Sequence, residues 1–167
     1  QITKKIIEYN MELYESFPVL GDFFRITYVE NTGMAFGIQV ENRAFFTIFA
    51  VIASIAIMVY LLRMTGEHIV PRVAMAAILG GAIGNLYDRI VRGSVVDFLD
   101  SEFFNVNIPP FEFWFIDFPG FVMHRWPVYN VADIAITVGM AVLFVFVLFE
   151  DPEKMKSTHE DSADMVH

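Results

Sequence analysis

The chain has 167 residues, 56% of them hydrophobic, with 18 phenylalanines and a formal net charge of −9. With a mean hydropathy of +0.51, it is more apolar than a soluble domain, for which about 45–50% is usual, and reads as a membrane protein. An acidic chain offers no basic face to nucleic acid, and the absence of cysteine excludes disulfides and thiolate metal sites.

Residues 1–43 are expected to form a surface helix and β segment. Residues 1–20 open with the basic pair Lys4-Lys5 and contain no signal-peptide core. Residues 23–40 are β-prone and aromatic, with partial alternation and a turn at Asn31-Thr32-Gly33. An open sheet cannot face lipid, so this one belongs at the membrane surface. The first span is residues 44–62, uncharged throughout and, at about 1.5 Å per residue, close to the ~30 Å hydrocarbon thickness. The second is residues 69–87, where Gly80, Gly81 and Gly84 offer a small-residue face for close helix packing. A phosphate loop is the poorer reading of those glycines, since no strand precedes them and no lysine follows.

Residues 99–127 are expected as an aromatic extramembrane loop. Trp114 and Trp126 suit the headgroup layer, and the segment reads either as an interfacial anchor or as a lid over a site. The third span, residues 128–149, precedes a charged tail, 151–167, expected to be solvated and frayed. The fold class is therefore an all-α polytopic membrane protein with a small amphipathic β-sheet at the membrane surface. Three transmembrane helices are visible, and residues 1–150 form one domain.

Two carboxylates stand out against this background. Asp133 is the only charge between Val128 and Phe149, and Asp97 follows the glycine-rich span in the string GSVVDF. An ionisable group in a membrane-length segment is costly and marks a functional site by default. The 63–72 connection joins the first two spans on one membrane face, so residues 1–43 and 88–127 share the other. Counting Lys and Arg does not decide which face is cytoplasmic. Asp97 leaves the second span on the side from which Asp133 enters the third, so the two can meet near one interface. Asn85 and Arg89 are four apart and Asn130 and Asp133 three apart, each pair on one helix face if the helix is continuous. Asn31 lies at a turn on the same side. Two carboxylates, three carboxamides and a guanidinium are thus addressable to one pocket. The bland reading is a set of helix caps and a structural Arg–Asp pair.

Two close carboxylates cannot both ionise easily, so one keeps a proton. The ionised member can activate water and the protonated one can polarise a carbonyl and feed the leaving nitrogen. Amide hydrolysis at a membrane surface is the natural chemistry. An ion-binding transporter or proton relay is the alternative, although it predicts internal repeats that are not found. A serine–lysine pair from Ser94 and Lys4 has nothing to bring it together. His68, His124, His159 and His167 are too scattered for a zinc motif.

The blocks NTGMAFG (Asn31–Gly37), GGAIGNLYDRIVRGSVVDF (Gly80–Phe98) and YNVADIAI (Tyr129–Ile136) resemble, in order, the three signature blocks of lipoprotein signal peptidase, or signal peptidase II. The resemblance covers about residues 1–150. It implies that Asp97 and Asp133 are the dyad of an aspartic intramembrane protease. It also implies that Asn31, Gly33, Asn85, Arg89, Asn130, Ala132 and Lys4 line or shape the site. The implied substrate is a diacylglyceryl prolipoprotein cut just before its lipidated cysteine, in the bacterial inner membrane near its outer face. The implied partners are membrane lipids and globomycin-like cyclic inhibitors, with no metal, no cofactor and a monomeric enzyme. The family has four spans and an Asp-Gln-x-Ser/Thr-Lys motif closing the first. Gln1, Thr3 and Lys4 match its end, so this chain is expected to be a fragment lacking the first helix. The 97–133 stretch is long and aromatic for the family, and Tyr129 stands where Phe is common.

Overall fold

The computed structural model describes residues 1–32, 43–64, 68–103, 105–113 and 116–149. In chain order these form α1 (Ile2–Asn10), β1 (Ser16–Leu20), β2 (Phe24–Asn31), α2 (Arg43–Arg63), α3 (Ile69–Arg92), β3 (Val95–Ser101), β4 (Val106–Ile108), β5 (Phe111–Phe113), β6 (Ile116–Phe118), β7 (Phe121–Met123) and α4 (Val131–Phe149). The chain divides into two compact units: Gln1–Arg43 with Asp88–Val131, and Ala44–Tyr87 with Ala132–His167.

The first unit is built on an antiparallel sheet of order β1-β2-β3. Met11, Tyr28, Val96 and Phe98 form its buried core, with Ile7, Ile26 and Leu99 packed against them. Side chains alternate along a strand, so Asp97 stands on the face of β3 opposite Val96 and Phe98. The segment after β7 then extends the sheet. Tyr129 N–H donates to Leu99 O at 3.0 Å and Leu99 N–H to Tyr129 O at 2.7 Å. The sheet is larger than residues 23–40 suggest, because β3 supplies its third strand. The segment expected as a loop, 99–127, holds four short strands in two further ladders, β4-β7 and β5-β6.

Helix α3 runs on through Asp88, Arg89 and Arg92, past the expected end at residue 87. It stops at Gly93, whose φ of +79° admits the left-handed turn that closes many helices. Gly93 N–H caps Arg89 O at 3.1 Å, and β3 begins two residues later. Pro71 is tolerated because it lies in the first turn, where no intrahelical donor is needed.

In the second unit, α3 and α4 are long and apolar enough to cross a membrane, while the described apolar part of α2, Thr47–Arg63, is shorter. Side chains such as Phe144, Val147 and Leu148 on α4 are at least 60% exposed, a pattern that suits lipid rather than water. Gly81 and Gly139 let α3 and α4 approach. A Cβ on Gly81 would lie 2.4 Å from Ala132 O, and one on Gly139 2.7 Å from Ala74 O. Of the expected glycine face, Gly81 makes such a close approach. A Cβ on Gly80 would meet nothing within 4 Å, and Gly139 on the facing helix takes the second contact.

Candidate active site

Asp97 is 3% exposed. Its Oδ1 accepts from Asn130 Nδ2 at 2.6 Å and its Oδ2 from Asn31 Nδ2 at 3.0 Å. Local structure explains both bonds. Val29 is the register partner of Asp97, so Asn31 lies two residues on, opposite Val95. Pairing of Tyr129 with Leu99 holds this part of the chain against β3, within reach of the Asn130–Asp97 bond. Asn130 itself is completely buried. A buried carboxylate is tolerable only when hydrogen-bonded, and two carboxamides orient this one.

Asp133 lies in the first turn of α4, half-buried, where the helix dipole favours a negative charge. Its Oδ1 accepts from Asn85 Nδ2 at 2.7 Å. Asn85 is one turn beyond Gly81 on α3 and so on the same face. The close approach that Gly81 permits at Ala132 is what brings Asn85 within reach of the next residue, Asp133. Ala132 thus meets α3 through its carbonyl.

The remaining expected residues divide. Lys4 is 2% exposed, and its Nζ donates to Asp88 Oδ2 at 2.5 Å. Asp88, completely buried, also accepts from Gln1 Nε2 at 3.1 Å. This carboxylate was not among the residues singled out from the sequence. One turn further along both helices, Arg92 bonds Glu8. Lys4 and Glu8 on α1 therefore face Asp88 and Arg92 with opposite charges. A one-turn slip of α1 would oppose Lys4 to Arg92 or Glu8 to Asp88, so the pattern fixes the register. Arg89 is half-buried, and no ion pair to it is found among the described residues. Where the bland reading has a structural Arg–Asp pair, Asp88 pairs with Lys4. Gly33 lies outside the described residues. Ser94 Oγ donates to Glu30 and Lys4 to Asp88, so nothing joins them as nucleophile and base.

Among the described residues no three His, Asp or Glu side chains cluster as a metal site would require. An apolar cavity of about 450 Å³, lined by Val70, Ala141, Val142, Val145, Phe146 and Phe149, contains no titratable group and takes five of those residues from the last nine of α4. Outside the spans, burial and then the Glu30 carboxylate, which accepts from its hydroxyl at 3.0 Å, push the Tyr28 phenol up to about 12.

A family model described as signal peptidase (SPase) II matches residues 1–149. The lipoprotein signal peptidase of Brevibacillus brevis is 36% identical over 150 residues, which cover 90% of this chain and 87% of that one. The lipoprotein signal peptidase of Bacillus subtilis is 35% identical over 156 residues, covering 93% and 90%. Two solved bacterial membrane enzyme structures, both determined in meso, superpose with TM-scores of 0.71 and 0.69 at 30% identity. They match 89% and 90% of this chain and 79% and 86% of their own.

Proposed function

The chain belongs to the signal peptidase II family, and from that premise we propose that it is an aspartic endopeptidase acting on diacylglyceryl prolipoproteins, with Asp97 and Asp133 as its catalytic pair. One observation carries the pairing. Asn130, which bonds Asp97, precedes Asp133 by three residues. Three virtual bonds of 3.80 Å bound their Cα separation to roughly 11 Å, and the helical start of α4 shortens it further.

The carboxamides orient each carboxylate without supplying a positive charge that would hold it ionised whatever its neighbour does. Brought together, the two carboxyls share one proton. The ionised member takes a proton from water as the water oxygen bonds to the scissile carbonyl carbon. The protonated member donates to the carbonyl oxygen. Collapse of the tetrahedral intermediate breaks the C–N bond as a proton reaches the leaving nitrogen. The signal peptide gains a carboxyl end and the lipidated cysteine a free amine. Asn31, Asn85 and Asn130 hold the carboxylates in place, Ala132 leaves room for the substrate backbone, Gly33 matches a site position of the family, and Arg89 meets a substrate or intermediate oxygen. Lys4 acts at a distance, by fixing α1 on α3.

In this reading α2 joins α3 and α4 as a third span, residues 1–150 work as one domain, and the enzyme is a monomer of the bacterial inner membrane. Its site is near the outer face. Globomycin-like cyclic peptides inhibit it by filling that site.

A gel-shift cleavage assay on a diacylglyceryl prolipoprotein tests the assignment. The parent chain in lipid is expected to cleave, globomycin to block it, and Asp97→Asn and Asp133→Asn each to abolish turnover with unchanged melting. Substantial turnover by either variant removes that residue from the pair. A folded parent that leaves the substrate intact overturns the peptidase assignment.

A further inference from the structure

The strands between Val106 and Met123 are one ribbon. β4 pairs with β7 from Val106↔Met123 to Ile108↔Phe121, and β5 with β6 from Phe111↔Phe118 to Phe113↔Ile116. Two residues on each strand, Pro109-Pro110 and Pro119-Gly120, separate the ladders, so the second continues the register of the first. Gly120 has φ +87°, and a Cβ there would lie 3.0 Å from Pro110 N, so glycine is what lets the strands pass where the ladder is interrupted. The base of the ribbon is clamped to the sheet. Trp126 N–H donates to Ser101 O at 3.1 Å, and Arg125 bonds Asp100 at 2.8 Å and Glu102 at 2.9 Å.

We propose that this ribbon is a lipid anchor whose outer half beds one face into the headgroup–acyl boundary of the bilayer. Alternation gives one face the positions 111, 113, 116 and 118, all apolar in sequence, and the other the positions 112 and 117, both acidic. Glu112 and Asp117 are the only charges between Phe103 and Met123. The Phe111 and Phe118 rings pack 5.0 Å apart, yet Phe111 remains 49% exposed. A lone two-stranded ribbon is marginal in water, and an aromatic face left open on it calls for a cover.

Three features select lipid as that cover. Met123 is eight residues before Val131, where the membrane-length α4 begins, so the ribbon is tethered next to a span. At its base Phe23, Phe103 and Trp126 pack edge to face, with Phe23 and Phe103 each more than half exposed, as in an interfacial aromatic belt. The sequence between the register partners Phe113 and Ile116 is Trp114-Phe115, the composition that the interface favours. With no cation on the ribbon, apolar burial is the driving force, and neutral phosphatidylcholine serves as well as anionic lipid.

Because the chain has no cysteine, single nitroxide labels report depth directly. The chain carrying Phe118→Cys, and separately Glu112→Cys, is placed in phosphatidylcholine nanodiscs and probed with oxygen and a water-soluble nickel chelate. The label at 118 is expected to favour oxygen and the label at 112 nickel. Nickel access at both positions overturns the anchor in favour of a solvated ribbon. Shielding of both from both reagents overturns it in favour of a protein cover, this chain or a second copy. A second measurement leaves the ribbon intact. Trp126→Phe makes Trp114 the sole tryptophan, and its emission is expected to shift blue and be lost on brominated lipid. Emission that iodide quenches and bromolipid does not would also overturn the proposal.

Discussion

Replacing Lys4 by Met strips the ammonium from a carboxylate that water does not reach. Asp88 is completely buried and Lys4 is 2% exposed, with Nζ 2.5 Å from Oδ2. Met keeps most of the side-chain length, so charge and hydrogen bond are lost rather than packing, and Gln1 remains as a donor to Asp88 Oδ1. Breaking a buried pair from one side costs about 3–5 kcal/mol. That is roughly two to three and a half powers of ten in the folded ratio, at about 1.4 kcal/mol per decade. The double variant Lys4→Met/Asp88→Leu removes both charges and is expected to recover most of the loss, since apolar replacements of buried pairs are often neutral. Glu8→Gln, which breaks the half-buried neighbour pair with Arg92, costs about 1 kcal/mol or less. Unfolding midpoints of the parent, Lys4→Met, Asp88→Leu and the double variant in one lipid or detergent give the coupling as a double-mutant cycle. A Lys4→Met midpoint within about 0.5 kcal/mol of the parent refutes the reasoning, and so does a double variant that equals the sum of the singles.

Arg89→Ala is expected to lower turnover while costing less stability than Lys4→Met, because the buried carboxylate nearby already belongs to Lys4. Melting and cleavage measured on the same preparation check the split. Gly81→Ala drives a Cβ into Ala132 O and Ile136 and is expected to cost about 1–3 kcal/mol or more by overpacking. Gly80→Ala meets open space and is expected to be neutral or to gain up to about 1 kcal/mol of helix propensity; thermal unfolding of the pair compares them. The Tyr28 phenol binds its proton more tightly folded (about 12) than unfolded (10.0). Its contribution to stability is therefore complete below pH 10 and is lost as pH rises from there through 12. Tyr28→Phe is expected to flatten that alkaline limb in a pH series of melting curves.

The aspartates were legible because a charge in an apolar run is conspicuous, and the carboxamides because Asn85 lies four residues from Arg89, Asn130 three from Asp133, and Asn31 at a turn on the same side. Asn31, Asn85 and Asn130 do reach Asp97 or Asp133. Asp88 was not legible, since a charge at the end of a span costs little and needs no explanation there. Its burial comes from α1, and the clue was the matched charge pairs at i and i+4, Lys4 with Glu8 and Asp88 with Arg92. The end of α3 was read too early for the same reason: charged residues end an apolar run but not a helix, and Gly93 is the true stop. β3 escaped because its partner, β2, is more than sixty residues earlier, and pairing at that range leaves no local pattern. The ribbon strands are three residues each and broken by proline, below the length at which alternation is readable. Gly139 could be recognised only once its facing helix was known.

A two-stranded ribbon leaves both long edges open, and proteins confined to a membrane plane meet one another far more often than in bulk solution. Unguarded edges there would zip neighbouring molecules into a shared sheet. Pro109, Pro110 and Pro119 lack the N–H that such zipping requires, and they sit at one level on opposite strands, so both edges are interrupted together. Glu112 and Asp117 add like charge just beyond. The same proline step that divides the ribbon into two ladders thus removes, from both edges at once, donors that such zipping would need.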